Sequence, residues 1–172
     1  LKDNASIGYN GSYGIYFDRY SSSSYYSGPS SISMTGQSSI DSNGNDGIYT
    51  GDYISGTTVY ANEIEITLED KAQIRNNKGR GIVVSSGSTL TLGDGTAVKG
   101  NLSTAIGSAV DCNGKLKLGG KAEVDKEIYI RDVKKPITLF SEPDDQVFLV
   151  GCTDNFIKQI LVEPDGVLIS NA

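Results

Sequence analysis

The sequence predicts an all-β solenoid: one chain wound into about six or seven coils whose short parallel strands stack on one another. Three observations predict it. A spaced pattern recurs in one chain direction, alternating segments supply strands, and Gly- and Asn-rich turns separate them. The pattern is an aliphatic residue, then Ile or Val, then Asn, then Gly with an aliphatic residue. A unit of this size cannot bury its apolar face alone and needs stacked neighbours.

The first copy reads Leu1, Ile7, Asn10, Gly14–Ile15, and the second Met34, Ile40, Asn43, Gly47–Ile48. The third is Leu68, Ile74, Asn77, Gly81–Ile82. A fourth, Leu92, Val98, Asn101, lacks the Gly–Ile step at that spacing, and a fifth, Leu118, Val124, keeps only the aliphatic columns before Ile128 and Ile130. Segments 63–68 (EIEITL), 89–92 (TLTL), 115–118 (KLKL) and 136–139 (PITL) alternate, so their Ile and Leu point inward and their Thr, Glu and Lys outward. Turn signals GQSS, NGNDG, NNKGRG, GDGT and GG lie between them. Same-direction recurrence after a full circuit favours parallel strands over a meander, with about three short strands per coil.

The first two circuits are longer, and the extra residues enter just after the Gly–Ile–Tyr step, near 17–31 and 50–62. Insertions at one column of neighbouring coils share one edge of a solenoid. The organisation expected is a single domain over 1–172, with regular coils to 139, looser terminal coils over 140–172, and a longer natural chain around it. Asp154 to Leu161 is the one stretch with a short helical turn in prospect.

The net charge of −6 and pI near 4.6 argue against nucleic acid, which requires a basic face. Lys134–Lys135 reads as a solvated turn. No apolar run spans a membrane, and none forms a signal peptide. Cys112 and Cys152 are too few for a disulfide framework. If each occupies one column two coils apart, stacking leaves their Cα atoms about 9–10 Å apart, beyond disulfide reach. Two free, buried thiols are expected.

Asn10, Asn43, Asn77 and Asn101 form an expected structural ladder, because a stacked amide both donates to and accepts from the turns beside it. Gly14, Gly47 and Gly81 precede the inward strand residue and imply positive φ or close packing against the next coil. Asp41, Asn43, Asn45 and Asp46, with Asp52 beyond, superficially resemble a calcium loop. The Gly falls late and no bidentate Glu closes it, so no metal is expected. No cofactor is expected either. The acids weighed for catalysis are Asp18, Asp52, Glu63, Glu65, Glu69, Asp70 and Asp94, against the carboxylate pair that sugar cleavage needs. Glu65, Thr89 and Lys115 look like a solvated sheet face, as do Thr67, Thr91, Lys117 and Thr138. The Thr column also invites an ice-binding reading, which Lys117 and Ser33 interrupt.

The candidate ligand-binding edge is Tyr20, Tyr25, Tyr26, Tyr53 and Tyr60 with Asp52 and Arg19. Tyrosine gives a rigid face and a hydroxyl at small entropic cost, useful against sugars or proteins. The alternative is that these rings fold back over the solenoid's flank.

The segments IGYNGSYGIYF (7–17), IDSNGNDGIY (40–49) and IRNNKGRGIVV (74–84) resemble right-handed parallel β-helix proteins of the pectate-lyase-like superfamily. Within it they are similar to bacterial surface repeat proteins, including polymorphic outer-membrane proteins and related adhesins. The resemblance covers about 1–140. It departs in having a single Gly preceded by Tyr, Asp or Arg, and Ile or Val where the family has Phe. It implies a secreted or cell-surface bacterial protein for display or adhesion, meeting a glycan or host surface protein, with end-to-end self-association as a further partner mode. The alternatives are a polysaccharide lyase or glycoside hydrolase fragment on the same fold, or a structural spacer of a longer stalk.

Overall fold

The computed structural model describes residues 1–17, 30–119, 121–132, 135 and 137–138, and the backbone alone of 139, 148–153, 156–163 and 166–169. Every regular element among them is a strand. The first pass lays down β1 (Ser6–Gly8), β2 (Ile15–Phe17) and β3 (Ser30–Met34). The second gives β4 (Ser39–Asp41), β5 (Ile48–Thr50), the pair β6 (Tyr53–Ser55) and β7 (Thr58–Tyr60), then β8 (Ile64–Leu68). The third gives β9 (Gln73–Arg75), β10 (Ile82–Val84) and β11 (Thr89–Leu92). Then come β12 (Ala97–Lys99), β13 (Val110–Cys112) and β14 (Lys115–Leu118), followed by β15 (Glu123–Val124), β16 (Ile128–Ile130) and β17 (Ile137–Leu139).

Each pass visits the same three sheets in turn, and within each sheet these strands pair in parallel with the same strand of the neighbouring pass. The result is a solenoid-like stack. The first sheet runs β1-β4-β9-β12-β15, the second β2-β5-β10-β13-β16, and the third β3-β8-β11-β14-β17. Register follows the aliphatic columns: Ile7, Ile40, Ile74, Val98 and Val124 in the first sheet, and Ile15, Ile48, Ile82, Val110 and Ile128 in the second. The third stacks Ile32, Ile66, Leu90, Leu116 and Ile137 beside Met34, Leu68, Leu92 and Leu118. Ile40, Ile48, Ile66, Leu68, Ile74, Ile82, Leu90 and Leu92 have no exposed surface, so the core lies between the three sheets. Truncating one such Leu or Ile to Ala typically costs about 2–5 kcal/mol.

The corner from first to second sheet is built on a repeated bend. Tyr9, Ser42, Asn76 and Gly100 each precede a ladder Asn, and each has φ between 55° and 67°. The bend leaves local backbone groups without strand partners, which the Asn side chain then satisfies.

Three expectations need correction, and for the ladder-side glycines one of the two expected reasons holds. The fourth pass does keep a strand step: Ala109–Val110 aligns with Gly81–Ile82, displaced by a longer corner at 102–108. Gly14, Gly47 and Gly81 do not have positive φ; close packing holds them. The looser terminal coils expected over 140–172 are replaced, among the described backbone, by a meander. β18 (Phe148–Thr153) pairs in parallel with β16, then β19 (Phe156–Glu163) and β20 (Gly166–Ile169) turn back antiparallel, so the helical turn near 154–161 is absent from β19. Finally, Gly151 rather than Cys152 falls in the Cys112 column, because Leu149 aligns with Val110 through Ile128.

Candidate functional site

The ladder is continuous. Asn43 Oδ1 accepts from the backbone N–H of Asn10 at 3.2 Å and from its Nδ2 at 2.9 Å. Asn77 Oδ1 does the same for Asn43 at 3.0 and 2.8 Å, and Asn101 Oδ1 for Asn77 at 3.2 and 3.0 Å. The second amide hydrogens reach strand carbonyls of Ile7, Ile40 and Ile74. Asn43, Asn77 and Asn101 are buried, so these amides hold the corner together and face no ligand.

The ladder also dictates the glycines. A Cβ on Gly47 would lie 2.6 Å from Ile74 Cγ2, 2.7 Å from the Gly81 carbonyl oxygen and 2.9 Å from Asn77 Nδ2. Gly14 and Gly81 meet the amides of Asn43 and Asn101 in the same way. The next pass has Lys126–Glu127 at its corner instead of a ladder Asn, and there the column accepts Ala109.

On the outer face of the second sheet, Tyr16, Tyr49, Val83, Asp111 and Tyr129 form one row. Tyr16 and Tyr49 stack with ring centroids 5.2 Å apart and planes within 9°. Tyr13 packs obliquely on both, at 4.7 and 5.3 Å. Rings arranged so turn part of their faces to one another and present edges and hydroxyls outward; Tyr16 stays 51% exposed.

At the adjoining corner of the second pass, β6 and β7 make an antiparallel hairpin, with Tyr53 opposite Tyr60 and Ile54 opposite Val59. The Tyr53 and Tyr60 rings lie 5.8 Å apart. Ile54 and Val59 are 65% and 54% exposed. The hairpin's base is clamped. Asp52 accepts the Ser86 N–H at 3.0 Å through Oδ2, Asn62 Nδ2 donates to the Gly51 carbonyl, and the Asn62 carbonyl accepts from Ser85 and Ser88 hydroxyls.

Further along the row, Asp111 is buried between two guanidinium groups. Arg131 grips it through Nε and Nη2, both at 2.6 Å, and Arg80 reaches it at 2.8 Å. Arg131 also lies over Tyr129, 5.6 Å from the ring centroid. Burial pushes the Asp46 carboxyl above its ordinary value, opposed by the Arg80 N–H and charge. At Asp41 burial acts in the same direction, but hydrogen bonds from Ser42, Asn76 and Arg75 outweigh it and hold the carboxyl low. Of the residues resembling a calcium loop, the side chains of Asp41, Asn43, Asp46 and Asp52 are each engaged by other groups of the protein. Among the described residues no His, Cys, Asp and Glu cluster is suited to a metal.

Of the acids weighed for catalysis, Asp52 is committed to Ser86, Asp70 accepts the Gly36 N–H at 3.0 Å and Asp94 the Lys121 N–H at 3.1 Å. Glu65 lies in a row with Ser31, Thr89 and Lys115; Glu63, Glu65 and Glu69 are exposed. The row Ser33, Thr67, Thr91, Lys117 and Thr138 falls as the alternation implies. Lys135 differs from a solvated turn, donating to the carbonyls of Ser86 and Asn113.

Of the tyrosine edge, Tyr53, Tyr60 and Asp52 come together in the hairpin. Asp18, Arg19, Tyr20, Tyr25 and Tyr26 lie outside the described residues, as does Lys134. Sequence reasoning missed Tyr13, Tyr16 and Tyr49, although Gly14–Ile15–Tyr16 and Gly47–Ile48–Tyr49 put a Tyr at the same outward offset in successive copies. The Arg80–Asp111–Arg131 group had no such signal, since its members come from three different passes. No helix among the described residues is long and apolar enough to cross a membrane. No family model, curated protein or solved structure matches this chain.

Proposed function

We propose that this chain is a non-catalytic bacterial surface or secreted β-helix protein that binds a glycan or a host surface protein through its tyrosine-rich flank. The coil is right-handed, the sense that crossovers between parallel strands of one sheet adopt in about 98% of cases, and has about six turns with β18 counted as the sixth. One observation carries the binding reading. The Tyr13–Tyr16–Tyr49 cluster and the Tyr53–Tyr60 hairpin belong to the same neighbouring passes, and the hairpin exposes Ile54 and Val59. A stiff parallel stack that holds an amphipathic hairpin away from the core offers preorganised contact area. The engagement of Asp52, Asp70 and Asp94 with backbone N–H groups gives the polysaccharide-cleaving alternative less support.

The test compares the intact chain with a Tyr53→Ala, Ile54→Ser, Tyr60→Ala variant on a glycan array and on host cells. The hairpin lies outside the core, so circular dichroism should stay unchanged while binding is lost. Equal binding by the variant would reject the hairpin as the contact. A chain that binds neither array nor cells would leave the spacer reading in its place.

A further inference from the structure

The tyrosine cluster supports a second inference that is independent of any ligand. Tyr16 and Tyr49 are register partners on adjacent passes, stacked at 5.2 Å, with Tyr13 packed against both. More than half of the Tyr16 surface is open to solvent. Apart from tyrosine, the easily oxidised groups among the described residues are shielded. The chain has no Trp and no His, and Met34 and Cys112 have no exposed surface. Burial also pushes the Cys112 thiol up to about 11, which keeps it out of the reactive thiolate form.

We propose that Tyr16 and Tyr49 are a site of oxidative cross-linking, in which a peroxidase using hydrogen peroxide joins them as dityrosine and so staples β2 to β5. Each phenol gives up one electron and one proton. The two phenoxyl radicals carry spin on the ring carbons beside the oxygen, and one new C–C bond forms between a pair of these. The hydrogens on the joined carbons return to the phenol oxygens. Hydrogen peroxide takes up the two electrons and two protons, its O–O bond breaks, and two waters leave. The protein therefore loses two hydrogens overall. Stacked rings held in register favour coupling within the molecule, since the partner is already in place and no encounter is required. Tyr13 lies as near, 4.7 Å from Tyr16 and 5.3 Å from Tyr49, but tilted by 42° and 49°. Tyr16 and Tyr49 are parallel within 9° and sit in strand register, which selects them as the joined pair.

The intact chain, kept dilute, is treated with a haem peroxidase and hydrogen peroxide. The expected product is a monomer lighter by two hydrogens, with dityrosine fluorescence and a fragmentation spectrum that links Tyr16 to Tyr49. Tyr16→Phe and Tyr49→Phe should each abolish that link, because Phe preserves the stack but has no phenol. Tyr13→Phe and Tyr53→Phe should leave it in place. Circular dichroism of each Phe variant checks that the fold is intact. Cross-links only between molecules, a link that maps to Tyr13 or to Tyr53–Tyr60 instead, or the absence of dityrosine would each overturn the proposal. None of these outcomes depends on the binding experiment, so the two ideas fail separately.

Discussion

Replacing Asn77 by Ala tests the ladder where it is deepest. The substitution removes the acceptor for two Asn43 donors, the backbone N–H at 3.0 Å and Nδ2 at 2.8 Å. It also removes the donor to Asn101 Oδ1 and to the Ile40 carbonyl. Asn101 Oδ1 still accepts the backbone N–H of residue 77, so it is not stranded. The Asn43 N–H is stranded, and its Nδ2 keeps only the 3.5 Å contact to the Ile7 carbonyl. Leaving a buried polar group unpaired costs about 1–3 kcal/mol, so two such donors give about 2–6 kcal/mol. That is a large share of the ~5–15 kcal/mol that holds an ordinary domain folded.

Asn10→Ala is the internal control. It loses one side-chain bond at an exposed position, and Asn43 Oδ1 keeps the Asn10 backbone N–H. Its expected cost is about 0.5–1.5 kcal/mol. Urea titration followed by circular dichroism measures both variants. Stacked repeats can unfold in stages, so amide hydrogen exchange at the 42–45 and 76–79 corners serves as the local readout. If Asn77→Ala cost no more than Asn10→Ala, the reasoning from buried donors would be wrong.

Further outcomes follow from the same packing. Gly47→Ala should destabilise by about 1–3 kcal/mol through overpacking against Gly81 and Asn77. Ala109→Gly, in the same column, should cost only about 0.5–1 kcal/mol, and thermal melts that rank the two equally would refute the ladder's control of this column. Ser38 is fully buried and its hydroxyl has no partner among the described residues, while Ala72 occupies the same place in the next pass; Ser38→Ala should stabilise by up to about 1 kcal/mol, and a clear loss in urea midpoint would contradict this. In a Cys152→Ser background, alkylation of Cys112 at pH 8 should be at least roughly a hundredfold slower in the folded chain than in urea, since its thiol is raised from 9.0 to about 11. The sign for stability follows from the same shift. Between pH 9.0 and about 11 the unfolded chain releases this proton first, so stability falls as pH rises through that window, and a flat alkaline profile for Cys112 against Cys112→Ala would count against it.

Much of the architecture was legible because it repeats. Aliphatic spacing gave the inward columns, and Asn10, Asn43, Asn77 and Asn101 proved to be neighbours because one residue type recurs at one corner. The bends beside them were not legible: Tyr9, Ser42, Asn76 and Gly100 share a backbone conformation but no chemistry. The Cys152 register slipped by one, since two aliphatic pairs offer two alignments and only pairing through Ile128 selects between them. The terminal meander was hidden for a related reason. Alternating apolar residues specify a strand but carry no information about the direction of its partner.

Sequence alone therefore determined which side chains face inward and which corner the amides occupy, because both depend on local spacing repeated from pass to pass. Tertiary structure decided the rest. It stacked Tyr16 on Tyr49, buried Asp111 between Arg80 and Arg131, and turned β19 back against β18. The first two of those arrangements join residues from different passes, where the contact is fixed by how coils settle on one another and by which charges and rings that settling removes from water. The third is a reversal of chain direction that alternation alone does not encode.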